Sequence, residues 1–281
     1  TQMSVHSLEG VRQLEEMGFS RAVLARELSL EEIAAIRKGT DLELEVFVQG
    51  ALCMSVSGQC YLSAMVGGRS ANRGACARPC RWRYHLTEEK RPGEFLPVYE
   101  DERGTYLYSA GDLCMIGHLD RLRDAGVASL KIEGRMKTAY YVATVVSAYR
   151  RALDLLELEG AQASRRAVPE LLSEVRKASH RTLTTGFYFG PPETPGGAEG
   201  FTQSMEYVGD VIAGAPDGGE CLVRLKNRFY VGDALEVLTP EGPRAFTVSR
   251  MTLDTTGESV QTASVAGTLL RMPIPGGAGA G

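Results

Sequence analysis

The chain has 281 residues and 30.4 kDa, the length of two domains or one large one. Its 43% apolar and 23% charged residues exclude chain-wide disorder, and no run of about 18 apolar residues is present to cross a membrane. A net charge of −4 gives no bulk attraction for polyanions, and no basic stretch leads into an apolar one as in a signal peptide. A cytoplasmic protein without a membrane partner is therefore expected.

Residues 7–18 predict a helix stopped by Gly18, and residues 21–25 a short buried strand of the parallel kind. Ser29 and Glu32 have the spacing of a capping box, opening a helix that ends near Gly39. Residues 43–48 predict the next strand. This βαβ rhythm breaks at about residue 50, where a Gly-, Ser- and Cys-rich stretch begins. Short antiparallel strands are expected at 81–86, 96–99 and 105–109. The rhythm returns at Asp112, with Leu113, Ile116, Leu119 and Leu122 spaced as one helical face before Gly126. A strand follows over 127–132. Residues 139–158 predict a long helix burying Val142, Val145, Val146, Tyr149 and Leu153.

A charged helix over 169–178 leads into a Gly/Pro linker at 190–197. From Met205 onward, short strands alternate with turns such as Pro216–Gly219 and Thr239–Gly242, the pattern of a small β-barrel. The expected fold is α/β. A partial TIM-barrel-like (β/α) domain spans 1–160 and carries a Cys-rich insertion at about 50–110. A helix and linker (161–204) and a small all-β barrel domain (205–275) follow. A full (β/α)₈ barrel takes about 250 residues, more than precede the β region here.

Six cysteines are present, and Cys53, Cys60, Cys76 and Cys80 fall close together, with Cys114 further on. Without a secretory signal, clustered cysteines point to metal ligation rather than disulfides. Four thiolates suit zinc or an iron–sulfur cluster. Only Cys76 and Cys80 have a zinc-knuckle spacing, which favours iron–sulfur. The competing reading is buried cysteines acting as small hydrophobes; Cys221, in the β region, fits it. Between residues 69 and 91 seven cations face two carboxylates, with Trp82 and Tyr84 interleaved. Arg78, Arg81, Trp82 and Arg83 are therefore candidate RNA contacts, against the alternative of a solvated charged face. Lys131, Glu133 and Arg135 follow a strand end, where α/β barrels place their chemistry. They could hold a small carboxylate or phosphate. Arg26 and Glu27 are a second such pair. No H-E-x-x-H or G-x-S-x-G is present, and the histidines are only His6, His85, His118 and His180.

The run Glu45–Ser63 strongly resembles the signature of the collagenase-like peptidase family U32. So do the stretch from Arg26 to Ile33, Cys76-Ala-Arg-Pro-Cys80-Arg-Trp, Asp112-Leu-Cys114 and Lys131-Ile-Glu-Gly-Arg135. The resemblance covers about residues 1–155 and extends to the family's small C-terminal domain. It implies a TIM-barrel-like catalytic domain with further strands before Thr1, so that the chain is a C-terminal fragment. It also implies relatives that hydroxylate tRNA wobble uridine or ribosomal RNA cytidine, or serve ubiquinone synthesis, some of them prephenate-dependent. By position it implies Cys53, Cys60, Cys76 and Cys114 as ligands of a [4Fe–4S] cluster, with Cys80 competing. One departure stands out: Gln49 occupies a place where many relatives have His, and Gln cannot act as a base. The expected function is an iron–sulfur-dependent RNA hydroxylation protein acting on tRNA, with prephenate as a possible small carboxylate cosubstrate. The alternatives are a collagenase-like peptidase and a non-enzymatic metal-binding module, with zinc as the alternative metal. The sequence does not fix the oligomeric state.

Overall fold

A computed structural model describes residues 3–53, 55–82, 85–86, 96–97, 111–190, 201–215 and 219–275. The chain divides into two units. One comprises Thr1–Met136, Tyr149–Leu172 and Ser179–Thr202; the other comprises Lys137–Ala148, Ser173–Ala178 and Gln203–Gly281.

The first unit begins with α1 (Leu8–Glu16), where the Ser7 hydroxyl accepts from the Gly10 N–H at 3.2 Å. Strand β1 (Arg21–Val23) leads through α2 (Leu30–Arg37) to β2 (Glu43–Ala51). The expected capping box opens α2: Ser29 and Glu32 each satisfy a backbone N–H of the other. Strands β1 and β2 pair in parallel from Arg21↔Glu43 to Val23↔Glu45. Helix α3 (Leu62–Gly67) and three single 3₁₀ turns make up half of the cysteine segment, residues 53–82. The two-residue strands β3 (His85–Leu86) and β4 (Leu96–Pro97) form an antiparallel pair after it. The expected strand at 105–109 lies outside the described residues. Next come β5 (Asp112–Cys114), α4 (Leu119–Asp124), β6 (Ser129–Ile132), α5 (Ala139–Leu158), α6 (Ala161–Lys177) and β7 (Leu183–Thr184).

Strand β2 is the hub. Strand β6 runs parallel to it from Glu45↔Ser129 to Gln49↔Ile132, and β5 runs antiparallel along its last three residues. Strand β7 extends β5 in parallel. Residues 46–50 of β2 are all buried, as expected for a strand covered on both faces.

Three local expectations need correction. Asp112 opens a strand rather than a helix; only Leu119 and Leu122 lie on α4, while Leu113 is on β5 and Ile116 is in a 3₁₀ turn. The leucine spacing there reflects burial by two successive elements. Helix α5 has its expected limits, but its buried face is Tyr141, Val145, Ala148, Tyr149, Ala152 and Leu156, leaving Val142 and Val146 largely exposed. The tyrosines, not the neighbouring valines, set the phase. Helix α6 starts eight residues before Pro169 and keeps that proline inside. Burial of Ser164, Leu171 and Val175 along one face offsets the hydrogen bond that proline removes.

The second unit is dominated by β8 (Gly209–Ala213), β9 (Glu220–Leu225), β10 (Phe229–Tyr230), β11 (Ala234–Thr239), β12 (Gly242–Thr247), β13 (Thr252–Leu253), β14 (Thr262–Ala263) and β15 (Leu269–Pro273). They form a four-stranded sheet in the order β13-β15-β9-β8 and the pairs β11-β12 and β10-β14, all antiparallel. Phe229, Leu225, Met251 and Leu270 anchor one core, and Cys221 is fully buried within it. That burial accounts for Cys221 as a small hydrophobe.

Candidate functional site

The parallel pairing of β2 and β6 brings their C-terminal ends side by side, and the Glu133 N–H continues the ladder by donating to the Gln49 carbonyl at 2.9 Å. Gly50 has φ +124°, and a Cβ there would stand 2.7 Å from the Glu133 carbonyl oxygen. A side chain at residue 50 would therefore push Glu133 away. Just past β1, the Arg26 guanidinium lies 3.9 Å above the Phe47 ring. One of its nitrogens is 4.0 Å from the Glu133 carboxylate, and another donates to the Ala51 carbonyl at 3.4 Å. Only 14% of the Arg26 side chain is exposed. Burial draws its pKa below the usual arginine value, and Glu133, Cys53, Glu27 and Tyr188 only partly oppose this. Arg26, Phe47, Gln49, Gly50, Ala51, Leu52, Leu113 and Glu133 close around a narrow gap, with Phe47, Gln49, Leu52 and Leu113 buried.

Gln49 is 1% exposed. The Tyr149 hydroxyl accepts from the Met115 N–H at 3.0 Å and shares its own proton between the Val48 carbonyl at 2.7 Å and Gln49 Oε1 at 3.1 Å. That engages one end of the Gln49 amide. The other end, Nε2, is buried without an acceptor.

The cysteine segment leaves the end of β2. The Ser57 N–H donates to Glu27 Oε1 at 2.7 Å, tying the segment to the end of β1. Ser57 takes up a left-handed conformation, φ 49°, to do so. Cys53 Sγ accepts from the Ser55 N–H at 3.4 Å and Cys76 Sγ from the Arg78 N–H at 3.3 Å. Burial pushes the Cys53 thiol up, and Cys60 and Cys76 stand near enough for their charges to add to the shift; the Ser55 N–H and Arg26 pull the other way. For Cys60, burial is outweighed by hydrogen bonds from the Ser55 hydroxyl and the Ser63 and Leu62 N–H groups, which hold that thiol below its ordinary value. Cys60 and Cys76 thus lie within electrostatic reach of Cys53. Among the described residues, however, no three His, Cys, Asp or Glu side chains stand at metal-binding separation. Cys80 lies in the 3₁₀ turn Pro79–Arg81, and Cys114 is buried on β5 opposite Gln49 in the ladder.

The three residues expected at the β6 end have separate surroundings. Lys131 Nζ binds Glu45 at 3.0 Å, within a charged group that includes Arg21 and Ser129. Glu133 lines the gap. Arg135 lies over Gly74, whose φ of +80° and missing side chain make room for the guanidinium. It therefore reaches the cysteine segment. Arg78 has a left-handed backbone, and Trp82, 45% exposed, approaches Gly67 at the end of α3. Arg83 and the Arg81 side chain lie outside the described residues. The sequence points to Arg26 only as part of a second strand-end pair, to Tyr149 only as a buried helix residue, and to Phe47 not at all as a site residue. The only signal for Tyr149 was a tyrosine on the buried face of a long helix, 100 residues from its partner.

Residues 1–197 match the model of peptidase family U32, and residues 203–279 that of the peptidase family U32 C-terminal domain. The chain is 35% identical to tRNA hydroxylation protein P of Escherichia coli, over 94% of this chain and 67% of that one. It is also 35% identical to the 23S rRNA 5-hydroxycytidine C2501 synthase of Escherichia coli, over 92% of this chain and 39% of the relative. A collagenase of Porphyromonas gingivalis is 37% identical over 55% of this chain and 38% of its own length. The chain thus spans about two thirds of the first relative and well under half of the other two. With both family models matched in order along its length, the chain belongs to peptidase family U32.

Proposed function

We propose that this chain is part of an RNA-hydroxylation protein acting on tRNA. The observation that carries this reading is a segment at the end of β2, residues 53–82, that holds four arginines and no carboxylate and brings Cys60 and Cys76 within electrostatic reach of Cys53. Similarity to tRNA hydroxylation protein P along 94% of the chain supports it. The α/β unit is read as part of a TIM-type barrel and the C-terminal unit as a small β barrel; the parallel β1, β2 and β6 support the first.

The donor chemistry suits an iron–sulfur centre: thiols that accept backbone N–H bonds, wrapped by glycines in left-handed conformations at 58, 68 and 74. Cys53, Cys60 and Cys76 would hold a [4Fe–4S] cluster, with Cys114 or Cys80 as fourth ligand; zinc is the alternative metal. Such a cluster supplies one-electron chemistry when bound. The chain's own residues bind and orient. Arg78, with Arg81 and Arg83, meets RNA phosphates, and Trp82 offers a face for an unstacked base. Arg135 spans from the strand end to the segment, and Glu133 orients a ligand at the strand end. A small carboxylate such as prephenate is the expected cosubstrate, and the cytoplasm the expected location. No helix among the described residues is long and apolar enough to cross a membrane.

The peptidase reading has no comparable support. Among the described residues, His6 and His180 bond backbone carbonyls and His118 packs edge-on to Phe189. The test is anaerobic preparation of the protein with iron and sulfide analysis, followed by tRNA binding at several salt concentrations. Iron with equimolar sulfide and binding that weakens steeply with salt are expected. Stoichiometric zinc with no iron, or no affinity for tRNA, would refute the reading.

A further inference from the structure

We infer that Arg26 is the counter-cation of the metal centre that the cysteine segment would hold, and that Glu133 moderates it. This rests on the proposed function only in needing a metal on Cys53, Cys60 and Cys76, and it holds for zinc as for an iron–sulfur cluster.

A metal centre on several thiolates carries net negative charge, and reducing a cluster adds to it. Such a charge is stabilised most by a cation that is fixed and poorly solvated. Arg26 has both properties. Only 14% of its side chain is exposed, and the guanidinium lies 3.9 Å above the Phe47 ring. One nitrogen donates at 3.4 Å to the Ala51 carbonyl, two residues before Cys53. The ring and the main chain thus hold the charge at the root of the segment. Its ion-pair partner, Glu133, is 4.0 Å away, beyond hydrogen-bond distance. A buried charge paired this loosely is costly, and an anionic centre on the segment would offset the cost. Arg26 and Cys53 already act on each other's charge.

Glu133 is fixed on the same side. Its second oxygen accepts from the Arg135 N–H at 3.3 Å, and a Cβ on Gly50 would stand 2.8 Å from the Glu133 Cβ. The absence of that Cβ lets the carboxylate face Arg26, where it cancels part of the positive field. Arg135 leans over Gly74, two residues before Cys76, but it is exposed and its charge is screened. Burial therefore ranks the three: Arg26 acts most strongly, Glu133 opposes it more weakly, and Arg135 counts least.

The test is a redox titration of the full chain loaded anaerobically with iron and sulfide, read by electron paramagnetic resonance. Arg26→Gln should move the reduction equilibrium about tenfold toward the oxidised form, which for one electron is about 59 mV. Arg26→Lys, which keeps the charge, should stay near the wild-type midpoint. Glu133→Gln should move the midpoint the opposite way and less far, and Arg135→Gln least of all. A merely structural role for Arg26 and Glu133 would not give opposite signs. Unchanged midpoints, or shifts of one sign in Arg26→Gln and Glu133→Gln, would overturn the inference. If Arg26→Gln does not fold by circular dichroism, Glu133→Gln decides: an upward shift supports the inference and an unmoved midpoint ends it. A chain that holds iron and binds tRNA but whose midpoint ignores these substitutions sinks this inference alone. If the chain takes up zinc and no iron, the proposed function falls by itself. The charge balance is then read from zinc retention against a chelator, which should weaken about tenfold in Arg26→Gln and strengthen in Glu133→Gln. Equal retention would overturn it, and a chain that takes up neither metal overturns both readings.

Discussion

The paired strand ends and the cysteine segment meet at the end of β2 but are held by different forces. The strand ends are built on ladders: β6 and β5 flank β2, Tyr149 locks Gln49 from α5, and residues 46–50 are buried without a break. The segment has almost no core. Of its described residues from 53 to 80, only Ser57, Ser63, Ala71 and Pro79 are buried. Side-chain-to-backbone bonds take the place of a core, as where Ser63 Oγ donates to the Arg69 carbonyl at 2.6 Å and accepts from the Ala77 N–H at 2.9 Å. Val56, Tyr61 and Met65 remain open to solvent. A segment with so little apolar burial needs a staple, and the thiols are the groups available to provide one. The strand end is therefore preorganised by the fold, whereas the segment would gain order from the proposed cluster.

The largest effect should follow from removing the staple. Cys53→Ser or Cys60→Ser should abolish metal binding and open residues 53–82 to limited proteolysis, while the β-rich unit stays resistant. Cys221→Ser should leave the metal content unchanged, because that thiol is buried in the other core. Protease mapping alongside iron analysis decides this. A segment that resists proteolysis equally with and without metal would erase the contrast between the two regions.

Next in size is Gly50→Ala, which strikes the strand end. The new Cβ would meet Glu133 at 2.7 Å, at a φ of +124° that side chains rarely adopt. Strain and overpacking together should cost about 3 kcal/mol. Urea denaturation would measure it, with metal content largely kept if the two regions are independent.

The difference between the regions also explains what the sequence revealed. The capping box at Ser29 and Glu32, the limits of α5 and the strand at β6 follow from local rules, and they recur in the structure within a residue or two. The buried face of α5 was misread because Val142 and Val146 resemble core residues, while the phase is set by tyrosines whose partners lie far away in the chain. Helix α6 was started late because Pro169 reads as a helix beginning when the packing behind it is invisible. The cysteines are legible as a group in sequence; in the fold Cys60 and Cys76 come within electrostatic reach of Cys53, but among the described residues no three potential ligands stand at metal-binding separation. Lys131 was legible as a strand-end cation but not as the partner of Glu45, 86 residues earlier. The anchoring of Gln49 depends on a hydroxyl 100 residues downstream, and no local pattern encodes that pairing.

A smaller effect is expected from Tyr149→Phe. It removes the donor to Val48 and Gln49 and the second acceptor of the Met115 N–H, which keeps its bond to the Val48 carbonyl at 2.9 Å, at a cost of about 1 kcal/mol in thermal or urea denaturation. The Gln49 amide then loses the bond to its Oε1, so its side-chain amide resonance should shift while the iron content holds. An unchanged resonance would mean that Tyr149 supports the sheet only.

The smallest effect is electrostatic and separates the ladders from the thiols by pH. Asp120 is buried, which raises its pKa, but hydrogen bonds from Arg165 and the Arg121 N–H outweigh this and hold it below its ordinary 3.8. Burial likewise raises Glu45, and Lys131 and Ser129 bring it below 4.5. Both carboxylates bind protons less readily folded than unfolded, so the unfolded chain takes up the excess protons as pH falls. Their stabilisation is complete above the ordinary values and is lost as pH drops through the lower folded ones. Stability should therefore be level from pH 7 to about 5 and decline below about 4. Asp120→Asn should cost about 1 kcal/mol at pH 7, a modest figure because Arg165 is 61% exposed and screened by solvent, and nothing once the wild-type carboxylate is protonated. Urea midpoints of both proteins across this range would show the two curves converging in acid. If they stay parallel down to the lowest pH, the cost of the substitution lies in packing, and the Asp120–Arg165 pair contributes no charge-dependent stability to the sheet unit.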